Sequence, residues 1–193
     1  MIQEDAIKRE NEKILAYIAE GKSRKVLERA RKNAEAAAAT GIDALEGNCA
    51  FTLGRAAHES GQHLEAIKAY NNALGKAILF RNTKATASIH ISMATALLER
   101  PDGDRRENLE MAITNHSAAL NMIDKISQPI DYAMIQYNMG FAYAELTTKF
   151  GQSFQNQAKN CFEEAARAFR NLGMTADVRK AEDALQSISG FSR

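Results

Sequence analysis

Three segments of this chain repeat the same small and apolar residues in the same order, and this constrains the fold more than anything else in the sequence. Ala66-Ile67, Tyr70 and Ala73-Leu74 are answered 46 residues downstream by Ala112-Ile113, His116 and Ala119-Leu120. A further 46 residues on come Ala158, Phe162 and Ala165-Ala166. Each set is preceded by a matching one, Leu53-Gly54, Met93-Ala94 or Met139-Gly140, followed three residues later by Ala57, Leu97 or Tyr143. Self-similarity at a period of 40 to 46 residues marks a helical solenoid, in which each hairpin hides its apolar face on its neighbours.

Composition agrees with helices. The 193 residues are 45% hydrophobic and 25% charged, with two prolines and no tryptophan, so the chain can bury a core without metal or disulfide support. Abundant Ala, Glu, Lys and Leu lose little rotamer freedom in a helix, and strand signals are nearly absent. The formal net charge of +1 creates no whole-molecule field toward nucleic acid or anionic lipid. Cys49 and Cys161 match no paired metal-ligand spacing and read as packed, reduced thiols. The first thirteen residues are dense in both charge signs, and no apolar run approaches the ~20 residues that span a bilayer, so the expected location is cytoplasmic with no membrane contact.

Helix punctuation predicts nine helices, over 3–20, 22–39, 43–60, 62–80, 82–99, 105–125, 129–148, 153–172 and 174–189. Gly21, Gly41, Gly61 and Gly173 stand where helices should stop. Pro101-Asp102-Gly103-Asp104 is the clearest turn, and Pro129 suits a first helical turn. Paired as hairpins, the helices place Gly54, Ala94 and Gly140 on first helices and Ala66, Ala112 and Ala158 early on second helices, which permits close backbone approach. These partners are 12 residues apart in the first hairpin and 18 in the next two.

Leu53, Gly54, Ala57, Gly61, Ala66, Tyr70 and Ala73 stand in the order and at the spacing of the tetratricopeptide repeat, and residues 47–80 have its length. The chain resembles that family, and its later repeats, with GDRRENLEMAITNHSAAL (103–120) and DYAMIQYNMGFAYAEL (131–146), resemble a longer-repeat subclass. The resemblance implies an all-α, right-handed α-α superhelix: one repeat domain over 1–193. Its divisions would be a divergent hairpin over 1–40, repeats over 43–80, 82–125 and 129–172, and a capping helix over 174–189.

In such a fold first helices line the concave face. Helical spacing places Asn48, Phe51, Thr52 and Arg55 there, then Ser88, Ile91, Ser92 and Thr95, then Met134, Tyr137, Asn138 and Phe141. Aromatic rings offer apolar contact while Asn138 and Arg55 can meet backbone or carboxylate groups, a combination suited to a peptide. The competing reading packs Tyr137 and Phe141 on the terminal helix and pairs Arg55 with Glu59. The carboxylate clamp of the family's chaperone-binding members is not reproduced, because the middle helix offers Ser88, Ser92 and Thr95.

Other motifs carry less. Lys22, Lys25, Arg29 and Lys32 form a positive stripe, but Glu20, Glu28 and Glu35 interrupt it. His58, His63, His90 and His116 show no HExxH pattern and no neighbouring nucleophile, and His90 and His116 read as interior. Asp102-Gly103-Asp104 lacks the oxygen ligands of a calcium loop.

The sequence therefore predicts a protein-interaction adaptor or scaffold that binds a peptide or protein segment, without catalysis, metal or cofactor. A ligand- or peptide-sensing regulatory protein is the alternative. RNA binding through the Lys22 to Lys32 stripe stands behind both. Phe191 with Val178, Ala181, Leu185 and Ile188 would cap the stack or pair with a second copy in a homodimer.

Overall fold

In the computed structural model, residues 2–151 and 153–189 are described. They form nine α-helices and no strand: α1 (Ile2–Ala19), α2 (Ser23–Ala39), α3 (Asp43–Glu59), α4 (His63–Leu79), α5 (Thr83–Glu99), α6 (Arg105–Leu120), α7 (Pro129–Phe150), α8 (Gln155–Asn171) and α9 (Thr175–Ser189). The backbone divides into two compact units, Met1–Arg100 and Pro101–Arg193, and the division falls inside the predicted 82–125 repeat.

Glycine sets the hairpin turns of the first unit. Gly61 closes α3 at φ 81°, with Gly61 N–H donating to the His58 carbonyl and Gln62 N–H to the Ala57 carbonyl. This pair of bonds satisfies the last carbonyls of the helix and fixes where α4 begins. Gly21 repeats the first-unit turn after α1. After α4 the same two bonds form with Arg81 in the left-handed position, at φ 51°, where a Cβ is disfavoured by about 1–2 kcal/mol.

Close packing joins the hairpin of α3 and α4. A Cβ on Gly54 would stand 2.5 Å from both Cδ1 and Cε1 of Tyr70 and 3.1 Å from its Cγ, so the bare Gly54 Cα lies against the ring face. Tyr70 is itself buried, and its hydroxyl reaches Ser92 on α5. Polar ties add direction: Arg31 on α2 donates twice to Glu65 on α4, both at 2.7 Å, and Lys76 on α4 meets Asp43 and Glu46 on α3 at 2.6 and 2.7 Å.

The second unit repeats the device. A Cβ on Gly140 of α7 would stand 2.8 Å from the Phe162 ring of α8. Arg105 on α6 makes a bidentate contact with Glu145 on α7, at 2.9 and 2.6 Å, and Lys149 adds a third bond at 2.7 Å. The Arg105 guanidinium, then Lys149, holds the Glu145 carboxyl down at about 2 against the opposing effect of burial. Ala181 and Ile188 of α9 are buried against α8, with Val178 and Leu185 packed beside them, so α9 covers the last hairpin from within its own unit. Phe191 lies outside the described residues.

The C-terminal ends of two helices differ from the predicted ones by two residues or more. α6 stops at Leu120 instead of 125, because the Asp124 carboxylate accepts from Ile126 N–H, Ser127 N–H and the Ser127 hydroxyl, which holds a compact non-helical turn. α7 continues to Phe150, where Gly151 takes the left-handed conformation at φ 65°.

Gly54→Ala should lower stability by about 1–3 kcal/mol, read by chemical denaturation, since the new methyl must displace the Tyr70 ring. Adding Tyr70→His, which sets a smaller ring against the new methyl, should restore part of that loss; strict additivity of the two changes would contradict the packing account.

Candidate functional site

The first unit holds an apolar cleft of about 420 Å³ walled by α3, α4 and α5. Ala44, Gly47 and Phe51 come from α3, Ala73 and Ala77 from α4, Phe80 and Asn82 from the following turn, and Lys84, Ala85, Ser88 and Ile89 from α5. Small residues make the hollow: a Cβ on Gly47 would stand 2.8 Å from the Lys76 Cβ, and alanines line most of the α4 wall. The rim is apolar and exposed, with Ile78, Leu79 and Phe80 all more than half exposed in succession at the end of α4. Surface apolar residues clustered in this way differ from the scattered ones common on any protein.

Charge at the rim is uneven. Lys76 is engaged by Asp43 and Glu46. Lys84, in the cleft wall, and Arg81, on the strained turn beside it, are exposed and form no ion pair with the described residues. Asn82 spends its side-chain oxygen on the Ala85 N–H, capping α5.

Three of the twelve candidate groove residues meet in this cleft: Asn48, Phe51 and Ser88. Thr52 does not, which corrects the reading from spacing; it is 2% exposed and its hydroxyl donates to the Asn48 carbonyl. Ser92 and Thr95 are half-buried and donate to the Ser88 and Ile91 carbonyls of their own helix, and Ile91 is half-buried beside them. Arg55 faces Glu59 at 3.8 Å. In the second unit, Met134, Asn138 and Phe141 share one face of α7, and Met134 and Phe141 are exposed. Tyr137 is corrected to a packing role: its ring meets Phe162 and Phe169 edge-on at 5.7 and 6.5 Å.

The positive stripe of α2 is partly neutralised. Lys22 binds Glu20, Arg29 binds Glu10 and lies over the Tyr17 ring, and Arg31 binds Glu28 and Glu65. Burial pushes both Cys49 and Cys161 thiols up to about 11, which keeps them protonated and inert at neutral pH.

Spacing also hid one cluster. His58 at the end of α3, His63 at the start of α4 and Glu99 at the end of α5 bring their ligand atoms within 4.8 Å of one another. Glu99 is 41 residues from His58, so no local motif announces it.

The search against family models found no match, and no curated protein matched. Among solved structures, the TPR-like repeats of a kinesin light chain from Podosopora anserina superpose with a TM-score of 0.61 at 13% identity, covering 100% of this chain and 99% of that one. A point variant of the same protein gives 0.61 at 14%, covering 97% and 96%. The fold is that of a TPR-like repeat protein. The ring-on-glycine pairs thus sit in a TPR-like frame. No helix among the described residues is long and apolar enough to cross a membrane.

In this TPR-like frame His116 is the odd member. It stands where the other repeats have Tyr70 and Phe162, is fully buried, and has both ring nitrogens without a hydrogen-bond partner. Burial depresses its pKa from 6.5 to about 4. The folded state therefore binds this proton less readily than the unfolded chain. The neutral imidazole's stability contribution is complete above pH 6.5 and is lost as pH falls toward 4, by up to about 3 kcal/mol. Nuclear magnetic resonance titration should place the His116 imidazole near 4, and His116→Leu should remove that part of the acid destabilisation; a value near 6.5 would contradict its burial as a neutral ring.

Proposed function

We propose that this chain is a protein-interaction scaffold and that the α3–α4–α5 cleft receives a short segment of a partner carrying one large apolar side chain next to acidic residues. The observation that carries this reading is an apolar hollow of about 420 Å³ rimmed by exposed Phe80 and by two cations without ion-pair partners among the described residues, Lys84 and Arg81. An apolar side chain would lose its water against Phe51, Ala77, Phe80 and Ile89, and a carboxylate on the segment would lie near Lys84. Asn48 and Ser88 supply polar contacts to its backbone.

Arg81 supports the same reading. A glycine there would relieve the left-handed strain, yet the position holds a long cation beside the cleft. Strain that is kept at such a place fits a residue used for binding. On α7, the exposed Met134 and Phe141, with the half-buried Asn138 between them, offer a further contact face to a larger partner.

The test is binding of short synthetic peptides with one Leu or Phe and either acidic or basic flanks, followed by fluorescence anisotropy. The acidic set should bind and the basic set should not. Phe80→Ala and Lys84→Glu should each weaken binding about tenfold, the size of one lost well-placed contact. Arg81→Gly should raise the melting temperature while also weakening the acidic peptides. Unchanged affinity in both Phe80→Ala and Lys84→Glu would remove the cleft from the function; a thermal shift with small metabolites and none with peptides would support the sensing alternative instead.

A further inference from the structure

We propose that His58, His63 and Glu99 form a binding site for one divalent transition-metal ion of the zinc class at the end of the first unit opposite the cleft. The site is independent of the cleft reading: it uses the last turn of α3, the first residue of α4 and the last residue of α5, whereas the cleft uses the other ends of these helices.

The ligand set is chemically selective. Two imidazoles and one carboxylate are the donors that zinc, cobalt and nickel prefer over calcium or magnesium, which take oxygen cages. Their geometry is close to what an ion needs. His58 Nε2 and the Glu99 carboxylate are already 2.9 Å apart, and the two imidazole rings meet edge to face with centroids 5.6 Å apart. Around a tetrahedral ion with bonds of about 2.0–2.2 Å, neighbouring ligand atoms are roughly 3.3–3.5 Å apart. The widest separation in the cluster, at most 4.8 Å, must therefore close by roughly 1.5 Å at most, within reach of side-chain rotation. Glu99 is free to move, because its side chain is 57% exposed, while His58 is held at 16%.

The backbone holds the two histidines in place. Between them lies the Ser60-Gly61-Gln62 turn, closed by Gly61 N–H to His58 carbonyl at 2.9 Å and Gln62 N–H to Ala57 carbonyl at 2.8 Å. Their relative position is therefore set by a hydrogen-bonded turn and does not depend on a loose loop. Electrostatics favour a cation: α3 and α5 both point their negative ends here, against the single positive end of α4. The neighbouring Arg55 faces Glu59 at 3.8 Å, which offsets its charge near the site.

Three protein ligands leave a fourth position for water or for a donor from a partner. Bound metal would also tie α5 to the α3–α4 turn, so it would stabilise the first unit by binding the folded state alone.

The experiment uses the untagged, chelator-treated full chain titrated with Co²⁺, read by visible d–d absorption, with a parallel thermal-shift titration in Zn²⁺. Saturable bands at one ion per chain and a rise in melting temperature are expected. His58→Ala, His63→Ala and Glu99→Gln should each weaken Co²⁺ binding by at least about tenfold, whereas His90→Ala should leave it unchanged. Circular dichroism of each variant should match the parent, and Glu99→Gln, a conservative change at an exposed position, keeps the test independent of folding. Absence of saturable bands, bands that persist in the double variant His58→Ala/His63→Ala, or equal loss in His90→Ala would overturn the site.

Discussion

The structure depends on two helices of a hairpin coming closer than side chains normally allow. At Gly54 and at Gly140 a bare backbone carbon meets the face of an aromatic ring, Tyr70 in one hairpin and Phe162 in the other. Any Cβ at these glycines would fall well inside van der Waals contact, so the pairing of large ring with absent side chain is a steric requirement. The Tyr70 hydroxyl also faces Ser92 on α5. Helices α3, α4 and α5 wall the apolar cleft and, at their other ends, gather His58, His63 and Glu99.

Corresponding positions of the repeats carry different residues, and the differences have energetic consequences. Tyr70 and Phe162 bury rings against glycine, whereas the position that corresponds to them in the middle repeat of the sequence holds His116. That choice leaves a buried imidazole whose nitrogens lack partners, an arrangement tolerable only while the ring is neutral. Glu145 works in the same pH direction through the opposite chemistry: it is charged in the folded state and held so by Arg105, and its contribution is complete above its ordinary value and lost as pH falls toward 2. Acid therefore acts on the second unit through both groups.

The architecture was readable because its cause is local and periodic. Gly54 and Tyr70 are answered in the same order by Gly140 and Phe162, and Gly21, Gly41, Gly61 and Gly173 take the left-handed turns their positions implied. The candidate site was readable only in part. Of the residues that spacing selected, Asn48, Phe51 and Ser88 line the cleft, but spacing cannot separate a residue on the open face from one just inside it, and so it put the buried Thr52 and the packed Tyr137 with them. Phe80, Arg81 and Lys84 were missed because a helix-face argument stops at helix ends. Their signal was present as the apolar run Ile78-Leu79-Phe80 followed by a cation where the other first-unit turns have glycine. The His58, His63 and Glu99 cluster assembles only when α5 is set beside the α3–α4 turn, so no motif could reveal it.

Proton chemical shifts test the packing at its source. In the folded chain an α-proton of Gly54 occupies the direction in which a Cβ would point at the Tyr70 ring face, and an α-proton of Gly140 does the same toward Phe162. Ring currents should move one α-proton of each glycine strongly upfield, with nuclear Overhauser contacts to the Tyr70 and Phe162 ring protons. Unshifted α-protons without those contacts would contradict the close helix approach on which the hairpins, the cleft and the histidine cluster all rest.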